Sequence, residues 1–317
     1  MTFIASVVSK EGVAIIADSL VTSSKPVLEF SEFQKYIDTK DDHVVLDPAE
    51  IVKLFTIKPS HTKDFEDKLY EYDKFTAVTT AGAASINGKK IKEIINEAIK
   101  KLRPSSRKPI ARRVSELEAF IATEVKKFLA TNAVIYSTVL IITNYNPKTY
   151  KTTIFRMQVN PATGEDLYKP DFEFVKTTME PDNYPVICDG HNKVSERLLF
   201  GPIPTILDSL SKIVQKVAED FGVDRDKITD DYIGSFLDDI ATDEDYNDVK
   251  IHKLSELSLQ QAVDLASLLM RIEIDIQKYT ENIPTVGGVI KLAVIERSGF
   301  HFISGNEIVK HENFYSH

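Results

Sequence analysis

Residues 1–19 read MTFIASVVSKEGVAIIADS. From Phe3 to Val8 the stretch is apolar and rich in β-branched residues, Lys10-Glu11-Gly12 is a turn signal, and Val13 to Ala17 resumes the apolar run. Two such runs about one short turn apart predict a β-hairpin. It closes on Asp18-Ser19, where the hydrophobic pattern stops.

Outward from that hairpin, residues 23–50 mix charge, proline and aromatics and read as an excursion. A strand is expected over Ile51 to Ile57, a charged loop over 59–74, and a strand over Phe75 to Thr80 that ends at Ala81-Gly82-Ala83-Ala84. Ile91, Ile94, Ile95, Ala98, Ile99 and Leu102 then recur at helical spacing until Pro104, and Val114, Leu117, Ile121, Val125 and Phe128 repeat the pattern. These are two amphipathic helices. Val134 to Thr143 and Tyr150 to Gln158 flank a turn at Asn144-Tyr145-Asn146-Pro147, and Tyr184 to Cys188 is a short strand ending at Asp189-Gly190. Helices are expected over His191 to Leu199, Ile203 to Phe221 and Ser258 to Lys278, with a closing hairpin of Val289 to Glu296 and Phe300 to Ile303. Between those helices, residues 224–248 hold ten acidic and two basic residues, the composition of a solvated insertion. Strands, paired helices, strands, paired helices and strands in that order suggest an α+β fold layered helix, sheet, sheet, helix.

The 317 residues are 43% hydrophobic and 27% charged, an ordinary globular mixture. A net charge of −9 argues against nucleic-acid binding, which needs a basic surface. No apolar run approaches the roughly 20 residues of a membrane helix, and the first residues lack the pattern of a signal peptide. Cys188 is the only cysteine, so no internal disulfide can form, and a cytoplasmic location is expected. The seven histidines show no metal-ligand spacing, so neither a metal nor a cofactor is expected.

The opening segment resembles the start of catalytic proteasome β subunits: an N-terminal Thr, a glycine at a hairpin turn, an apolar strand and Ala-Asp-Ser. Here Thr2, Gly12 and Asp18 keep that spacing without a gap, and Thr22 falls where the family has a Thr that hydrogen-bonds the substrate backbone. Ile51-Val52-Lys53-Leu54-Phe55 resembles the strand presenting the family's lysine, and Thr80-Ala81-Gly82-Ala83-Ala84 the turn supplying its oxyanion hole. Cys188-Asp189-Gly190 falls at the family's Gly-Ser-Gly, and Val286-Gly287-Gly288 at its late Ser-Gly-Gly turn. The resemblance implies one domain over 1–317, a four-layer αββα N-terminal-nucleophile hydrolase sandwich, with insertions at about 23–50, 59–74 and 223–254.

It further implies a threonine-type endopeptidase. A threonine hydroxyl needs a base beside it. Once Met1 is removed, the α-amine of Thr2, with an ordinary pKa of about 7.7–8.0, can take the hydroxyl proton. Lys53 would favour the alkoxide, Asp18 would hold Lys53, and the Gly82 N–H, next to a helix N-terminus, would meet the oxyanion. Asp189 stands where the family has a serine supporting the amine; it would position the amine and also tend to keep it protonated. The family's Asp before the late turn falls at Ile283, with Asn282 and Glu281 the nearest polar residues. Val21, Ile51, Phe55, Thr80 and Ala84 would line an apolar substrate pocket, with Thr22 on the substrate main chain. The implied partners are unfolded proteins or peptides, further copies in a homo-oligomeric ring, and an ATPase unfoldase or cap. Two other functions remain open: a ring scaffold without activity, and an N-terminal-nucleophile amidase acting on a small molecule.

Overall fold

The computed structural model describes residues 2–38, 50–51, 54–130, 137–161, 172–179, 185–200, 213–214, 216–217, 219, 251, 254–280 and 283–303. The opening hairpin forms as β1 (Phe3–Val8) and β2 (Gly12–Ala17) at the centre of an antiparallel five-stranded sheet. It is flanked by β12 (Val186–Gly190) on one side and by β13 (Lys291–Glu296) and β14 (Gly299–Ile303) on the other. The second five-stranded antiparallel sheet runs in the order β11 (Phe172–Met179), β10 (Lys151–Pro161), β9 (Thr138–Asn146), β6 (Thr76–Gly82), β5 (Leu69–Asp73).

Successive strand residues point to opposite faces, and both faces of the central strands are covered. Ile4, Val13, Ile15 and Ala17 of the first sheet meet Ala77, Ala81, Val139 and Ile141 of the second in a core between the sheets. On the outer face of the first sheet, Phe3, Ala5, Ala14 and Ile16 pack on α5 (Leu259–Thr280) through Ala262, Ala266, Leu269 and Met270. On the outer face of the second, Val78, Leu140 and Ile142 pack on α2 (Ile91–Leu102) and α3 (Ile110–Leu129). The expected stripe Ile91, Ile94, Ile95, Ala98 is the buried face of α2. That helix ends on Arg103 in the left-handed conformation, one residue before Pro104. The molecule is an α+β fold of antiparallel sheets with helices on their outer faces.

Several expectations are corrected. The strand over Ile51 to Ile57 is not formed as such: Ile51 is helical, Leu54 turns back to it, and β4 spans Thr56–Phe65. The charged stretch 59–74 is the second half of β4 followed by β5, not a loop. Among the described residues β4 pairs only with β3 (Leu20–Val27), in a two-stranded ribbon carrying Pro26 and Pro59. Helix α1 (Phe30–Asp38) follows β3. Strand β11 was not anticipated, and the β9–β10 turn falls after Asn146. A small hairpin, β7 (Ser85–Ile86) and β8 (Lys89–Lys90), separates Gly82 from α2. Helix α4 (Lys193–Phe200) follows β12 as expected. The acidic segment 224–248 lies outside the described residues, as does most of the expected helix at 203–221.

Candidate functional site

Thr2 is held at the entrance to β1, against the end of β12 and the residue that follows it. Its carbonyl accepts the His191 N–H at 2.6 Å, and the residue is 2% exposed. β1 pairs with β12 so that Phe3 faces Gly190. Gly190 has φ +93°, and a side-chain carbon there would run into the Thr2 carbonyl oxygen. Only glycine lets β12 pass this close.

Asp18 lies immediately after β2, and its carboxylate is enclosed by four donors. Oδ1 accepts the Phe3 N–H at 3.2 Å and Lys68 Nζ at 2.9 Å. Oδ2 accepts the N–H groups of Leu20 and Gly287, each at 3.1 Å. Lys68, the residue before β5, also donates to the Leu20 carbonyl at 2.6 Å. Among the described residues these acceptors occupy two of its three hydrogens. Burial raises the Asp18 carboxyl and lowers the Lys68 ammonium from their ordinary pKa values, and their mutual attraction opposes both shifts.

Thr2, Lys68 and Gly82 line one cavity of about 470 Å³. Val21, Thr22, Thr80 and Ala84 line it as well. Gly82 ends β6 at φ +102°, in a position where a side-chain carbon would strike the Ser137 carbonyl. The N-terminal residues of α2, Ile91 and Lys92, reach the same cavity despite the intervening hairpin. A threonine, a buried lysine and a glycine thus line one open cleft, and a fixed cation together with main-chain N–H groups is what stabilises a developing oxyanion.

No protein-family model matches this chain, and no curated protein sequence matches it.

Of the residues expected from sequence, Thr2, Val21, Thr22, Thr80, Gly82 and Ala84 come together around the cavity, with Asp18 behind it. Lys53 lies outside the described residues. The cation that Asp18 holds is Lys68, and the four donors on its carboxylate occupy both oxygens. Asp189 is turned away: its Oδ2 accepts Arg156 Nε at 2.6 Å, its Oδ1 accepts the Gly190 N–H at 2.8 Å, and it lines a separate cavity with Arg156 and Cys188. Ile51 and Phe55 are not among the lining residues, because the segment expected to be a strand does not join the sheet.

The lining is also less apolar than expected, since Glu66, Asp67 and Lys92 contribute to it. Burial works against ionising Asp67, yet the ammoniums of Lys291 and Lys92 hold its carboxyl below its ordinary range. Thr22 lines the cavity while its hydroxyl donates to the Pro284 carbonyl at 2.9 Å. Lys68 and His191 escaped the sequence reading. The signal for Lys68 was its place directly before the strand-like run Leu69-Tyr70-Glu71-Tyr72.

Proposed function

We propose that the protein is a threonine-type endopeptidase with the four-layer αββα sandwich of an N-terminal-nucleophile hydrolase. Thr2, freed of Met1, attacks the scissile carbonyl through its hydroxyl. The α-amine accepts the hydroxyl proton and passes it to the leaving amine, so an ester to Thr2 forms as the peptide bond breaks, and water then releases the acid. Lys68 supplies the positive charge beside the alkoxide, taking the role first expected of Lys53, and Asp18 fixes Lys68. The Gly82 main chain faces the oxyanion. Val21, Thr80 and Ala84 contact the side chain before the cut. Unfolded polypeptides are the proposed substrates, reached inside a ring of identical subunits fed by an ATPase unfoldase or cap.

The observation that carries this reading is the convergence of Thr2, Lys68 and Gly82 on one cavity, with Asp18 holding Lys68 from behind it. The test is intact mass before and after exposure to an electrophile selective for N-terminal threonine. Loss of one Met and a single adduct on Thr2, absent from Thr2→Ala, is expected. Protein from cells that keeps Met1 throughout would instead favour a ring scaffold without activity.

A further inference from the structure

We infer that His191 is a positioning residue for Thr2, its ring locked as the Nδ1–H tautomer by Thr285 and Gln277; its effect on turnover rests on the peptidase reading, the tautomer does not. Gln277 on α5 is 3% exposed, and its Oε1 receives the N–H groups of Thr285 at 2.6 Å and Val286 at 3.0 Å. Main-chain N–H groups only donate, so the amide oxygen must face them. Its Nε2 donates to the Glu273 carbonyl at 2.6 Å, which agrees.

The Thr285 hydroxyl lies 3.0 Å from the same Oε1. In that contact the hydroxyl is the donor, which directs its single hydrogen at Gln277. What remains on Thr285 Oγ1 is lone-pair density, and His191 Nδ1 approaches it at 3.3 Å. That nitrogen therefore carries the hydrogen. The hydrogen bond at one imidazole nitrogen sets the state of the other, so Nε2 of the neutral ring is the acceptor. Thr285 is fully buried, and His191 is 8% exposed.

The main-chain N–H of this same His191 grips the Thr2 carbonyl at 2.6 Å. One helical turn before Gln277, Glu273 accepts the N–H groups of Val194 at 3.1 Å and Ser195 at 2.7 Å. Helix α5 thus holds the 191–195 segment at both ends, and the nearer grip passes through a hydrogen that only one tautomer supplies.

Long-range ¹H–¹⁵N spectra of full-length protein with labelled histidine test the tautomer, with His191 assigned by its loss in His191→Asn. A protonated Nδ1 and a bare Nε2 are expected, and Thr285→Val should shift the ring toward Nε2–H while Thr285→Ser leaves it unchanged. A wild-type ring protonated on Nε2 alone overturns the inference. Positioning is read from hydrogen exchange of the His191 amide, which should quicken about tenfold in Thr285→Val, the scale of one net hydrogen bond. On a fluorogenic peptide kcat should fall by a similar factor with KM within about twofold, and Thr285→Ser should restore it. Unchanged exchange and kcat in Thr285→Val overturn the positioning role. A wild type that Thr-directed electrophiles never acylate defeats the peptidase reading alone, and spectra and exchange still decide this one.

Discussion

Lys68 Nζ lies 2.9 Å from Asp18 Oδ1, with the Asp18 side chain fully enclosed and Lys68 7% exposed. Desolvating both charges is costly, and their attraction repays that cost only with satisfied geometry. Three main-chain N–H groups on Asp18 and the Leu20 carbonyl on Lys68 provide it.

Lys68→Ala therefore leaves a buried carboxylate uncompensated and should lower stability by about 3–5 kcal/mol in urea unfolding. Any folded Lys68→Ala should turn over peptide at least about 100-fold more slowly, the scale of losing one preorganised donor. Asp18→Asn with Lys68→Met should recover only part of the stability, because the Asn amide nitrogen must face one of the main-chain N–H groups now bound by the carboxylate, and none of the turnover. Lys53→Ala is the companion measurement: retained activity there, with loss in Lys68→Ala, assigns the cation to Lys68.

At Gly190, any side chain meets the Thr2 carbonyl, and the backbone is left-handed. Gly190→Ala should cost at least about 2 kcal/mol and displace Thr2. A Gly190→Ala protein with wild-type melting and wild-type acylation would refute the close packing described.

Arg113, 3% exposed, binds Asp73, the Thr76 hydroxyl at 2.7 Å and the Lys108 carbonyl at 3.2 Å, tying α3 to the second sheet. Arg113→Ala should cost about 3–5 kcal/mol, most of it recovered in Arg113→Met with Asp73→Leu. Activity per folded molecule should not change, because this pair lies away from the cavity. A large fall in kcat at constant folded fraction would contradict that.

Burial pushes the Cys188 thiol up to about 12, and the charges of Glu196, Asp189 and Glu273 push the same way, while Asn192 donates to the sulfur. The thiolate is the reactive form, so it gains population only as pH rises toward that value. At pH 8 native Cys188 should react with iodoacetamide on the order of 1,000-fold more slowly than in urea. Fast labelling of native protein at that pH would show an accessible thiol.

How much of this was legible in the sequence depended on the kind of signal. The β1–β2 hairpin and the α2 stripe are one-dimensional patterns, two continuous apolar runs about a turn and apolar residues at period 3.6, and both formed where expected. The β3–β4 ribbon belongs to neither core between sheet and helix, so the part of β4 from residue 59 onward carries no apolar alternation and reads as loop. Lys68 was hidden for a related reason. Lys53, Lys58, Lys63, Lys68 and Lys74 recur along one stretch, and local hydrophobicity favoured the first. Which lysine meets Asp18 is decided by the path of the ribbon, a long-range property. His191 and Gln277 carried no motif because their link runs through Thr285, from a segment 94 residues away in sequence.

The four donors on Asp18 also set an order of events during synthesis. Phe3, Leu20 and Lys68 leave the ribosome well before Gly287, which follows Asp18 by 269 positions. A nascent chain short of that residue has an incompletely compensated carboxylate behind its proposed nucleophile and lacks the strands β13 and β14 that complete the first sheet. Translation thus acts as the timer: Thr2 is made long before the residues that complete its surroundings.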